Sequence, residues 1–152
     1  MPRRRTLIVT FIALFTLPAL GAEKTYLNTD KDGLAIQGHD PVEYFTHNRP
    51  AKGDPARTVT YQGATYRFAS EENKKLFEEN PAKYAPQFGG FCAYAVSKGS
   101  TASIDPAAFQ IIDGRLLLQN SKSVRDTFNK DTAGNVEKAD ANWPSLVKKN
   151  GH

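Results

Sequence analysis

The stretch Tyr61-Gln62-Gly63-Ala64-Thr65-Tyr66-Arg67-Phe68-Ala69-Ser70-Glu71-Glu72 decides the fold. Thr58 to Tyr61 and Thr65 to Phe68 carry the β-branched and aromatic content of two strands, and Gln62-Gly63 between them is a hairpin turn. Ser70 then caps a helix, with Glu71 and Glu72 in the first turn where the helix dipole favours acids, and Pro81 marks its exit. Strand alternation sets Tyr66 and Phe68 on one face, directed at a core.

The second half repeats this unit. Gln110 to Ile112 and Arg115 to Gln119 flank Asp113-Gly114, and Ser121 caps a helix carrying Val124 and Phe128. Gly63 and Gly114, Ser70 and Ser121, and Phe77 and Phe128 are each 51 residues apart, on the turn, the cap and a core position of the two units. Upstream, Asp40-Pro41 reads as a helix cap with proline at the first helical position, predicting a short helix over Val42 to Thr46. The segment from His47 to Pro55 is loop chemistry. Asp105-Pro106 opens another short turn. The last helix is expected from Thr132 to Asn142, with Val136, Ala139 and Trp143 on one face, Trp143 as a core anchor and Pro144 ending or kinking it. The fold class is α+β, a small single domain of β-hairpins packed against short helices.

Arg3, Arg4 and Arg5 precede an apolar run from Leu7 to Leu17, followed by Pro18 and small residues at Ala19, Gly21 and Ala22. This reads as an export signal over residues 1–21, too short for a comfortable membrane span, so the expectation is a periplasmic or secreted protein without a permanent membrane anchor. An N-terminal extension over residues 22–32, a domain over 33–146 and a disordered tail over 147–152 complete the division. Of the net charge of +4, those three arginines supply three. The rest of the chain is nearly neutral, which removes the electrostatic argument for nucleic acid. The single cysteine makes no internal disulfide.

The pattern Tyr61 to Phe68, Ser70, Asn80-Pro81-Ala82-Lys83-Tyr84 and Gly89-Gly90-Phe91-Cys92-Ala93-Tyr94-Ala95 resembles the YHS-domain family, in the manner of a secreted bacterial branch. The similarity runs from Gly33 to about Leu146, taking in Gly38 to Phe45 and Ala139 to Pro144. The resemblance implies a small α+β scaffold and, in many members, cysteines in an aromatic-Cys-Ser-x-x-Cys segment and an earlier Asp-Pro-Val-Cys, associated with metal. Here Ala69 and Asn73 stand where the first pair would be, and Glu43 follows Asp40-Pro41-Val42.

Cys92 therefore becomes the candidate for a relocated site. Placed at the start of a short helix after Gly89-Gly90-Phe91, its thiolate is a ligand for a soft metal such as copper or zinc. His39, just outside a helix N-terminus, is the candidate second donor, and Glu43, one turn on, the candidate third. The opposing interpretation makes Cys92 a small buried residue between Phe91 and Ala93. Tyrosines around Gly89-Gly90 then line a pocket for a small apolar ligand, or a surface for a protein partner. No nucleophile signature, phosphate loop or dinucleotide fingerprint is present, so no catalytic residue is assigned and the expectation is a non-enzymatic module.

Overall fold

Residues 23–152 are described by the computed structural model; the segment read as an export signal lies outside them. Among the described residues, two antiparallel hairpins carry the β-structure: β1 (Asp54–Tyr61) pairs with β2 (Ala64–Phe68), and β3 (Asp105–Ile112) with β4 (Arg115–Gln119), as two separate sheets. Each hairpin runs into a helix, α2 (Glu71–Glu79) after the first and α5 (Lys122–Phe128) after the second. The helices α1 (Glu43–Thr46), α3 (Pro81–Tyr84), α4 (Ala93–Ser97) and α6 (Thr132–Asn150) complete an α+β domain.

The 51-residue relation extends far beyond its three identities. Both hairpins turn through a non-glycine residue and a glycine at positive φ, Gln62-Gly63 and Asp113-Gly114. Register shifts fall between Asp54 and Thr58 in β1 and between Asp105 and Phe109 in β3. Those bulges are built alike: the Asp54 carboxylate accepts the Ala56 N–H at 2.8 Å, and that of Asp105 the Ala107 N–H at 2.9 Å. Asp105-Pro106 therefore begins a bulged strand instead of the expected turn, because the aspartate closes a local loop without leaving the ladder. Ser70 accepts from Asn73 N–H and Ser121 from Val124 N–H, each at 3.1 Å, capping α2 and α5 identically.

A less legible repeat precedes each hairpin. Ile36-Gln37-Gly38 and Phe88-Gly89-Gly90 both form a turn with three consecutive positive φ values, 51°, 52° and 81° in the first and 56°, 61° and 80° in the second. For Ile36, a β-branched residue, that backbone is unfavourable, and it is held by its surroundings. Ile36 is buried, and Gln37 donates to the Ile104 carbonyl at 3.0 Å, tying the first unit to the chain entering β3.

The core lies between the units. Phe77 of α2 is fully buried against Tyr61, Tyr66 and Phe68, with ring centroids 5.9, 4.8 and 5.2 Å away. Burial of one such ring stabilises by about 1.5–3 kcal/mol. Strand β4 is buried on both faces. Leu116 and Leu118 join the cluster around Phe77, while Leu117 joins Phe128, Val96 and Ala139 in a second. A strand covered on both sides needs an unbroken apolar run, and Leu116-Leu117-Leu118 supplies it.

Helix α6 departs from expectation. It passes through Pro144 and continues to Asn150, and the terminal residues expected to be disordered are helical or paired: His152 exchanges backbone hydrogen bonds with Thr25 at 3.1 and 3.0 Å. Packing outweighs the lost bond at Pro144. Val136, Ala139, Trp143 and Leu146 sit on the second cluster, and Asn142 donates to the carbonyls of Val96 and Ser97 at 3.0 and 3.2 Å, satisfying the end of α4. No helix among the described residues is long and apolar enough to cross a membrane.

Candidate functional site

Cys92 stands at the N-cap of α4, as its spacing from Gly89-Gly90 suggested, but its side chain is inside the protein, 1% exposed. The thiol donates to Gln119 Oε1 at 3.4 Å and accepts the Asn120 N–H at 3.3 Å. Gln119 Oε1 also accepts the Tyr94 N–H at 3.0 Å, which fixes the amide's orientation and leaves Gln119 Nε2 buried without a partner among the described residues. A polar residue terminating Leu116-Leu117-Leu118 in a buried strand was the available sign of this site, and the sequence reading passed over it.

His39 and Glu43 belong to other surroundings. The His39 ring donates Nδ1–H to the Ile36 carbonyl at 3.0 Å. Partial burial lowers its pKa, the Ile36 carbonyl opposes this, and Lys52 adds to the lowering, so the ring is held neutral. Glu43 is buried in a polar network. Asn73 Nδ2 donates to Glu43 Oε1 at 2.9 Å and to Asp40 Oδ2 at 2.8 Å, so one amide bridges two buried carboxylates. Asp40 also accepts from Val42 N–H at 2.8 Å and Ala69 N–H at 2.7 Å. Arg49 Nε meets Glu43 Oε2 at 3.2 Å from the solvent side, and His47 Nδ1 stands at the same distance. Burial pushes the Glu43 carboxyl up, but Asn73, Arg49 and His47 outweigh it and hold it below its ordinary value.

Cys92, His39 and Glu43 thus have separate hydrogen-bond partners. No group of three or more His, Cys, Asp or Glu side chains among the described residues is placed to hold a metal ion. A thiol engaged by an amide oxygen and a backbone N–H, and a carboxylate engaged by an amide and a guanidinium, are not arranged as donors to one ion.

A sizeable concavity lies elsewhere among the described residues. A cleft of about 560 Å³ opens between the first hairpin, the turn at Phe88-Gly89 and α6, with Tyr26, Tyr61, Tyr66, Phe88 and Trp143 on its walls. Its far wall is the N-terminal strap, residues 23–28. A Cβ at Gly89 would collide with the Tyr26 carbonyl oxygen, so glycine lets the strap lie directly on the turn. Asn28 fastens it, its N–H to the Gly89 carbonyl at 2.8 Å and its amide to the Gly90 carbonyl at 3.0 Å. Tyr26 stacks with Trp143 at 6.0 Å and 8°. Gln87, on the cleft lining, accepts from Arg115 Nε at 3.0 Å, and Arg115 makes two further bonds to Asp140, at 3.0 and 2.6 Å.

Residues 40–88 match the YHS domain family. A YHS domain is matched over these residues, less than half of the chain. The match covers the first unit from Asp40 to Phe88 and stops short of the second, a narrower span than the resemblance from Gly33 to about Leu146 suggested. Neither the curated proteins nor the solved structures contain a match to this chain. Within the YHS domain, the places read as substituted cysteines come together in space. Asn73 bonds Glu43 directly, and Ala69 bonds the same Asp40 carboxylate that Asn73 does. A hydrogen-bonded clamp joins α1, the end of β2 and α2 at that point.

Proposed function

We propose that this YHS-domain chain is a non-enzymatic binding module of the periplasm or exterior, that Cys92 is structural, and that the cleft beside Trp143 takes a small apolar ligand. The observation carrying the proposal is the pairing of an aromatic cleft of ligand-binding size with a cysteine sealed at 1% exposure. The strap, the hairpin and α6 build the cleft from well-packed elements, which favours a preformed site. The arginine-led apolar segment at the chain's start supports an exported location.

Soft-metal handling through Cys92, the reading first suggested by thiol chemistry, draws support from the family match but less from the geometry. Loading copper or zinc there requires breaking two hydrogen bonds of a buried thiol and bringing up donors that face elsewhere. The two readings separate in one experiment. A fragment screen read by the indole N–H resonance of Trp143, the single tryptophan, is expected to find ligands that shift it, while Cu(I) and Zn(II) leave Cys92 unaltered. Stoichiometric metal binding lost in a folded Cys92→Ala variant, with no fragment shifting Trp143, reverses the choice.

A further inference from the structure

Among the described residues, Arg67 is the one arginine that bonds to no acceptor there. Arg49, Arg57 and Arg115 each meet a carboxylate, and Arg125 donates to the Phe109 carbonyl at 3.3 Å. Arg67 Nε, by contrast, is buried without a partner. Arginine stays charged in a folded protein, so water stripped from one edge of its guanidinium without an acceptor in exchange is unfavourable. The fold nevertheless pins this side chain. Residues 38–40 and 51–53 form a short antiparallel ribbon: Asp40 N–H donates to the Ala51 carbonyl and Gly53 N–H to the Gly38 carbonyl, both at 2.8 Å, with His39 opposite Lys52. Both glycines of the ribbon sit on Arg67. A Cβ at Gly53 would collide with the Arg67 backbone, and Gly38 lies against Arg67 Cδ and Nη1. Only Nε is sealed; the residue as a whole is half-buried, which leaves its terminal nitrogens open.

We propose that Arg67, assisted by Lys52 of the ribbon, binds a small organic monocarboxylate end-on through its terminal nitrogens. The site is separate from the aromatic cleft: Tyr66 lines the cleft, and Arg67, the next residue of β2, belongs to the opposite face of the hairpin. A carboxylate suits it because the planar guanidinium presents two parallel N–H groups to two oxygens. A side chain already pinned between Gly38 and Leu34 gives up little freedom when the anion arrives. A single negative charge follows from the surroundings. Lys52 is exposed on the ribbon and supplies a second cation, felt electrostatically at His39. Two acids stand nearby, Asp54 directly after Gly53 and Asp105 within electrostatic reach of His39. Arg57 pairs with Asp54 at 3.3 Å, so Asp105 remains to oppose a dianion.

The test titrates the purified protein with sodium acetate, acetamide and inorganic phosphate, chloride holding the ionic strength constant. The Arg67 Nε–H resonance, assigned with Arg67→Lys, and the backbone amides of Gly38 and Gly53 are followed by NMR. Acetate is expected to shift them saturably, the neutral isostere acetamide to leave them in place, and phosphate to bind more weakly than acetate. Arg67→Gln should weaken acetate about tenfold or more, the loss of a charged hydrogen-bonded pair, and Lys52→Gln about threefold, as for an exposed ion pair. Circular dichroism checks both folds; should Arg67→Gln fail to fold, the wild-type titration and Lys52→Gln decide. No saturable shift, the same shift with acetamide, phosphate binding as tightly as acetate, or an acetate affinity indifferent to the folded variants overturns the proposal. The Trp143 resonance should not respond to acetate, so either outcome leaves the reading of the cleft to its own experiment.

Discussion

Cys92 occupies in the second unit the place that Asp40 occupies in the first. Asp40 Oδ2 accepts the N–H of Ala69, the residue before the cap of α2, and Cys92 Sγ accepts the N–H of Asn120, the residue before the cap of α5. Both are buried, and both follow a left-handed turn of three residues with one residue between. The cysteine holds the entry to a helix, with a sulfur acceptor where the first unit has a carboxylate. That shared structural task is the strongest argument against treating Cys92 as a ligand in waiting.

Replacing Cys92 tests the assignment through stability. Cys92→Ala removes the acceptor for Asn120 and the donor to Gln119, with an expected loss of about 1–3 kcal/mol. Chemical denaturation measures it, and the Trp143 response to bound fragments should persist in the variant.

Asn73 should prove more sensitive than its modest side chain suggests. Asn73→Ala leaves Asp40 and Glu43 facing each other without the bridging donor, at an expected cost of about 2–4 kcal/mol. Asn73→Asp should destabilise further, since a third carboxylate replaces the donor. Denaturant midpoints rank the three proteins directly.

Acidification should erode stability in two stages. The His39 pKa is lowered on folding, so the unfolded chain takes up that proton first, and stability falls as pH drops below about 6.5. The Glu43 pKa is also lowered; its contribution is complete above about 4.5 and disappears as pH falls through the lower folded value. Glu43→Gln should flatten the acid limb and leave the upper stage intact, as read from denaturation midpoints across pH.

Gly89 joins the strap to the cleft. With φ at 61° and the Tyr26 carbonyl against it, Gly89→Ala should lift the strap and cost about 1–3 kcal/mol. Hydrogen exchange at Asn28, whose N–H bonds Gly89, is expected to accelerate, and Trp143 emission to shift red as its Tyr26 neighbour withdraws.

The hairpins, the serine caps and the two-unit plan were legible because each rests on local chemistry: β-branched strands, a glycine turn, a hydroxyl before a helix. Phe77 and Phe128 were legible as core for the same reason. The length of α6 was not, since proline ordinarily ends a helix and only the contacts of Trp143 and Leu146 with distant residues carry it onward. The pairing of Thr25 with His152 depends on chain ends that meet only after folding. The site was least legible. Nothing local distinguishes Cys92 as a donor to Gln119 from Cys92 as a thiolate.

The most direct measurement is the rate at which iodoacetamide alkylates Cys92 across a denaturant series, with and without one equivalent of Cu(I) or Zn(II). A structural cysteine predicts a rate that tracks the unfolded fraction and ignores the metal. Rapid alkylation of the folded protein, suppressed by a stoichiometric amount of either ion, would contradict the account.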